Sequence, residues 1–220
     1  MNTFQTPAPI TAAFDVPAGR IQVIAADRTD TVVEVRPANA GKGRDTKAAE
    51  QATVEFTDGV LHVRAATGHQ HLGGSGAIEV TVQLPAGSGV QANASATEFR
   101  AVGRLGDVAF DGAYHHIKID EATGVQLTAT DGDIEVGHLT GPADISTARG
   151  DIRINHTTGG TVVLRTQSGD ITVAAAPGVS ASLDAGTAHG RITNTLKNNG
   201  TTDLTINATT TNGDITARSL

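Results

Sequence analysis

Residues 130–136 read TDGDIEV, and the phrase returns as ARGDIRI (148–154), QSGDITV (167–173), AHGRITN (188–194) and TNGDITA (211–217). Aligned on the apolar residue after the turn, Ile134, Ile152, Ile171, Ile192 and Ile215 share one position, at steps of 18, 19, 21 and 23 residues. Self-similarity at such a period is the mark of stacked coils, because a single unit is too small to bury an apolar face alone. Within each period a short alternating strand, such as QLTAT (126–130) or VLRTQ (163–167), runs into a glycine turn, and a second strand of the form Asp-Ile-x-Val follows. Two strands and two turns fill each repeat. Gly132, Gly150, Gly169, Gly190 and Gly213 supply the positive φ of a sharp corner, each preceded by a polar residue of mostly turn-forming type. A row of hairpins or a β-sandwich is the competing reading, since Asp-Gly and Asn-Gly are also two-residue hairpin turns.

Parallel stacking sets equivalent positions about 4.8 Å apart, so they must be chemically compatible. One residue after the aligned isoleucine the chain reads Lys118, Glu135, Arg153, Thr172, Thr193 and Thr216, an alternating charge ladder that passes into a threonine ladder. Two residues after it come Ile119, Val136, Ile154, Val173, Asn194 and Ala217, mostly aliphatic and on the same face as the isoleucines. The expectation is one core column of Ile134, Ile152 and Ile171, with Glu135 and Arg153 paired outside. Just before the isoleucine stand Asp133, Asp151, Asp170, Arg191 and Asp214. Their like charges predict a solvated corner, with Arg191 relieving the column between Asp170 and Asp214. Val108 and Ile117 read as degenerate versions of the aligned isoleucine, and extra residues near Ala185–Gly186 and Asn198–Thr202 predict bulged corners.

The fold expected is therefore all-β: a β-solenoid, parallel β-helix-like, over residues 87–220, with an irregular β-rich capping region over residues 1–86, the two forming one continuous body. Composition agrees. Aromatics make up 3% of the 220 residues while glycine contributes 26, which favours narrow stacks of small and β-branched side chains. The absence of cysteine excludes disulfides and thiolate metal sites. A net charge of −7 without a basic stripe argues against nucleic acid. The N-terminal MNTFQTPAPITAAFDV has no basic and apolar leader pattern, and no stretch has the ~18 consecutive apolar residues of a membrane span. These features predict a soluble, cytoplasmic protein without membrane insertion, at the surface or secreted only if exported by another route.

In the N-terminal region, Ile10–Val16, Arg20–Ala26 and Thr31–Arg36 read as strands of a meander-like opening. Asp45 is expected to cap a short helix over Thr46–Gln51. Thr53–Phe56 and Val60–Arg64 flank Thr57-Asp58-Gly59, a tight hairpin, and a polar HQHLGGSG loop (69–76) precedes a strand over Ala77–Leu84. The stretches ADRTDTVVEVRPAN (26–39) and KAAEQATVEF (47–56), together with the succession of SGDITV-like units, resemble the bacterial putative adhesin family of β-strand-repeat proteins, domain of unknown function 4097. The resemblance covers nearly the whole chain. It implies an all-β, solenoid-like fold and brings no catalytic residues with it.

Candidate sites are few. His138 and His156 both lie four residues after their aligned isoleucine, so stacking makes the imidazoles neighbours that could hold Zn²⁺ or Ni²⁺, but a metal usually takes three or four protein ligands and the expectation is that no acidic residue at an equivalent position completes the set. His69-Gln70-His71 and His115-His116 are similar short tracts. Asp151, Asp170 and Arg191 are the residues a carbohydrate-active solenoid would use, with stacked carboxylates near the ~5 Å spacing of a retaining glycosidase pair. Arg149-Gly150-Asp151 spells an adhesion tripeptide on a turn, and HLGGSG lacks the Lys-Ser/Thr of a phosphate loop. His62 reads as an outward-facing strand residue. Each is explained more simply by turn or corner chemistry, so no catalytic, cofactor-binding or metal residue and no cofactor is assigned. The function expected is a non-enzymatic β-solenoid scaffold or adhesin-like interaction module for an unknown protein or glycan partner, the alternative being a carbohydrate-binding or carbohydrate-active β-helix. A thin covering after Ala217 further predicts weak self-association through the C-terminal coil, impaired by Ile215→Lys.

Overall fold

The computed structural model describes residues 1–65, 76–114 and 116–220. The chain divides into two compact units, Met1–His115 and His116–Leu220. The fold is the expected β-solenoid, built from parallel strands in two sheets.

The first unit contains β1 (Asn2–Gln5), β2 (Thr11–Asp15), β3 (Ala18–Ala26), β4 (Asp30–Pro37), α1 (Gly43–Glu50), β5 (Thr53–Thr57), β6 (Val60–Arg64), β7 (Ile78–Pro85), β8 (Gly89–Asn93), β9 (Ala96–Arg104) and β10 (Asp107–Tyr114). One of its sheets runs β1-β4-β7-β3-β9 and the other β5-β6-β2-β8-β10. The opening is not a meander. β2 lies parallel between β6 and β8, and β3 lies parallel between β7 and β9, so sequential strands alternate between sheets as coils require. Antiparallel pairing is kept for the outer side, where β4 joins β1 to β7 and β5 closes on β6. The rings of Phe4 on β1 and Phe56 on β5, 5.5 Å apart, bring these two covering strands together. The β5–β6 turn is the hairpin expected, with Asp58 and Gly59 at φ 52° and 78°. The helix starts before Asp45 rather than after it. Asp45 is buried and accepts a hydrogen bond from the Ala77 N–H (3.1 Å), so its carboxylate anchors the start of β7 instead of capping the helix.

The second unit contains β11 (Ile117–Ala122), β12 (Gly124–Asp131), β13 (Ile134–Leu139), β14 (Ala143–Arg149), β15 (Ile152–Thr157), β16 (Gly160–Ser168), β17 (Ile171–Ala175), β18 (Ala181–His189), β19 (Ile192–Thr195), β20 (Leu204–Asn212) and β21 (Ile215–Ser219). Its sheets run β11-β13-β15-β17-β21-β19 and β12-β14-β16-β20-β18. Ile117, Ile134, Ile152, Ile171, Ile215 and Ile192 form the isoleucine column in that order. On the facing sheet, Leu127, Ile145, Leu164, Ala208 and Ala185 do the same. Val108 does not belong to the isoleucine column; it lies in the other sheet beside Val90.

The stacking order departs from the chain order. The coil of β20 and β21 sits against β16 and β17, and the earlier coil of β18 and β19 is displaced to the outside. Ile215 is consequently 1% exposed and Ile192 43%. This overturns the expectation that the C-terminal coil is the open end, and with it the use of Ile215→Lys as a surface probe. It also explains the two longer repeat steps. Ala185 and Gly186 are not a bulged corner; they lie inside β18, in register with Ala208 and Thr209. Residues 196–203, which include the expected bulge at Asn198–Thr202, form the connection that carries the chain back inward.

Candidate functional site

The corners are held by three ladders running across the coils. Each aspartate before the isoleucine accepts a hydrogen bond from the backbone N–H of its counterpart on the next coil: Asp151 N–H to Asp133 Oδ1 (2.9 Å), Asp170 to Asp151 (2.8 Å), Asp214 to Asp170 (2.7 Å) and Arg191 to Asp214 (2.8 Å). The column thus reads Asp133, Asp151, Asp170, Asp214, Arg191. Arg191 does not lie between Asp170 and Asp214 but ends the ladder, and its side chain offers no acceptor to pass on. At the other end of this series, His116 Nδ1 stands 3.8 Å from Asp133 Oδ2. The repulsion among stacked carboxylates is offset by these charge-assisted bonds at an exposed corner.

Beside them runs a glycine column that permits close approach. A Cβ on Gly150 would lie 2.2 Å from the Gly132 carbonyl oxygen, on Gly169 2.0 Å from that of Gly150, on Gly213 2.0 Å from that of Gly169, and on Gly190 1.9 Å from that of Gly213. Gly150, Gly169 and Gly213 are required by coil-to-coil contact as well as by a positive φ at the corner, whereas Gly190 does not adopt the positive φ expected of it and is required by contact alone. Threonine hydroxyls complete the set: Thr166, Thr210 and Thr187 donate to the carbonyls of Gly150, Gly169 and Gly213 at 3.1, 3.1 and 3.0 Å.

The outward face carries the charge ladder in register, Lys118 beside Glu135 and Glu135 beside Arg153. The bonds differ from those expected. Glu135 pairs with Lys118 (3.0 Å) and accepts from the Asn155 amide (2.9 Å), while Arg153 contributes only its nearby charge. The Lys118 hydrogen bond, opposed in part by burial, holds the Glu135 carboxyl below its usual range. On the facing sheet Arg165 pairs with Asp144 and Arg149 with Asp131, both at 2.7 Å.

The sequence candidates fall into place around these ladders. His138 and His156 are brought together, ring centroids 4.0 Å apart at 40°. Burial, with a smaller effect from His138, lowers the proton affinity of His156. Glu121 lies in register with His138 one strand further on, so an acidic residue does occupy the equivalent position. Asp151 and Asp170 are ladder members, and Arg191 is separated from them by Asp214. In Arg149-Gly150-Asp151 both charged groups are engaged, Arg149 with Asp131 and Asp151 within the ladder. His62 is half-buried on β6, its Nδ1 3.4 Å from the Arg64 guanidinium. His69, Gln70, His71 and His115 lie outside the described residues, as does HLGGSG apart from Gly76. Among the described residues no helix is long and apolar enough to cross a membrane.

No curated protein matches the chain. Similar solved structures include a putative adhesin from Bacteroides fragilis NCTC 9343, 14% identical with a TM-score of 0.48, covering 100% of this chain and 95% of that one. Another, from Parabacteroides distasonis ATCC 8503, is 14% identical with a TM-score of 0.45, covering 98% and 95%. A putative cell adhesion protein from Clostridium sporogenes ATCC 15579 is 10% identical with a TM-score of 0.39, covering 100% and 98%. The isoleucine column, the glycine corners and the paired parallel sheets all fall within residues 14–219, the span over which the sequence matches the Toastrack DUF4097 profile, and the chain belongs to that family.

Proposed function

We propose that this chain is a non-enzymatic interaction scaffold whose flat outward ladders bind a protein or glycan partner. The observation that carries the reading is the fixed outer face of the second unit, where Lys118, Glu135 and Asn155 are joined side chain to side chain across three adjacent strands. Such a face is ordered before a partner arrives, so binding costs little side-chain entropy. The aspartates that an acid–base mechanism would recruit are already occupied by backbone donors, which favours a scaffold over a glycosidase. A chain without cysteine suits the cytoplasm, and equally a surface location if it is exported.

The test is a glycan array and a cross-linking capture, each run with the wild type and with a Lys118→Ala, Glu135→Ala, Arg153→Ala triple variant. Partner signal that disappears in the folded variant supports the reading. Signal that is retained moves the interface elsewhere, and turnover on a panel of polysaccharides overturns the non-enzymatic assignment. Self-association is proposed through the coil of residues 181–195, whose β19 is exposed throughout and forms the last strand of its sheet. Sedimentation of the wild type against Ile192→Lys decides it: a strictly monomeric wild type up to near-millimolar concentration removes the idea.

A further inference from the structure

One side-chain cluster takes part in neither the ladders nor the proposed scaffold face. His138 on β13 and His156 on β15 are directly paired residues of adjacent parallel strands. Their rings are 4.0 Å apart, His138 is exposed and His156 half-buried. His138 is also in register with β11 on its other side, while β15 pairs with β17 at Ile154 and Thr157, with a register irregularity between them where His156 lies. Glu121 occupies the next place in the same column, so the row reads carboxylate, imidazole, imidazole.

We propose that His138 and His156 form a surface site for a borderline divalent transition-metal ion, Cu²⁺ or Ni²⁺ ahead of Zn²⁺, with solvent completing the coordination. The chemistry follows from the donors. Imidazole suits these ions, and affinity of a nitrogen site rises through nickel to copper and falls again at zinc. Two ligands at about 2.0–2.1 Å from one ion need ring nitrogens that converge on a common point, and ring centroids 4.0 Å apart at 40° place the two imidazoles within reach of such a point after side-chain rotation. Among the described residues no group of three His, Cys, Asp or Glu side chains is arranged around a common point. The site is therefore a two-histidine chelate with open positions, suited to exchangeable metal or to a donor atom from a partner. The negative charge of Glu121 adds to the attraction. A bound ion would also tie the coil of β13 to that of β15.

The experiment uses the full chain and CuCl₂, followed by calorimetric titration and electron paramagnetic resonance. The expected result is one equivalent bound with two nitrogen ligands, and a loss of affinity of at least ~10-fold in each of His138→Ala and His156→Ala, since either removes the chelate. His69→Ala/His71→Ala and His116→Ala variants should bind as the wild type does. Thermal melts of the metal-free variants confirm that they are folded. Should a His138→Ala variant prove unfolded, His138→Gln keeps a polar side chain at that position and must show the same loss. Copper binding that survives removal of either histidine, or that follows the His69/His71 variant instead, overturns the assignment.

Discussion

The coils of residues 181–195 and 204–219 carry nearly the same sequence phrase, yet one lies outside the stack and the other within it. Their isoleucines occupy the same column, but Ile215 is covered by β17 on one side and β19 on the other, whereas Ile192 has a neighbour on one side alone. The residues around them have diverged accordingly. The inner coil has Asp214, which accepts from its neighbour's backbone, and the small apolar Ala217; the outer coil has Arg191 and the exposed Asn194 at those positions. Position in a stack is thus encoded by the few residues that either continue the columns or end them.

The comparison breaks most sharply at the isoleucines. Replacing the buried Ile215 by Ala should cost about 2–5 kcal/mol, as should the same change at Ile152, while Ile192→Ala should cost well under that. Urea unfolding midpoints measure both, and a reversed ranking would mean that the coils stack in chain order. Next come the glycines. Gly169→Ala places a Cβ against the Gly150 carbonyl at a φ of 153° and should cost about 1–3 kcal/mol or more. Gly186→Ala, on the outer coil with no atom within 4 Å, should fall within about 0.5 kcal/mol of the wild type.

A third test concerns the buried Thr157 of β15, whose hydroxyl has no hydrogen-bond partner among the described residues. Thr157→Val keeps the shape and removes the unsatisfied group, so melting should show a gain of about 1 kcal/mol. The aspartate ladder should yield an effect of similar size or less. Asp170→Ala withdraws the acceptor from the Asp214 N–H and should cost about 0.5–1.5 kcal/mol, whereas Arg191→Ala, whose side chain serves no further coil, should be neutral. A small effect is also expected at Glu135, on the half-exposed charge ladder, where Ala should cost under about 1 kcal/mol. Because its carboxyl is held below the ordinary value of 4.5, the contribution is complete above that pH. It is lost as acid carries the solution down through the lowered folded value. A difference between wild type and Glu135→Ala that persists unchanged at lower pH would contradict the pairing with Lys118.

Periodic features were legible in the sequence because each repeat announces them independently: the isoleucine column, the aliphatic column beside it, and the charge and threonine ladders; the Asp58-Gly59 hairpin was legible from its turn residues alone. The order of the coils was not. Ile192 and Ile215 are the same residue, so the aligned position carries no information about which coil lies inside. The signal lay in Arg191 and Asn194, whose departure from their columns marks an end. Parallel pairing in the first unit was hidden because strands close in sequence suggest a meander, while those that pair belong to different coils. β1, only four residues long, gave too short an alternation to register. Of the candidate site, the histidine pair followed directly from spacing, and Glu121, four residues after Ile117, was open to the same count but went unassigned because Ile117 reads as a degenerate member of the column.

The crossed order of the last two coils has a consequence for how the chain reaches its native state. Synthesis runs from the N-terminus, so residues 181–195 emerge while residues 204–219 are still unmade, and the edge beside β17 is then open to the earlier arrival. The final order is reached more readily the more weakly that early arrival holds the edge. Arg191 and Asn194 favour this, since an asparagine where the other coils carry an aliphatic residue and a missing acceptor make the earlier coil a poorer occupant of the place its successor takes.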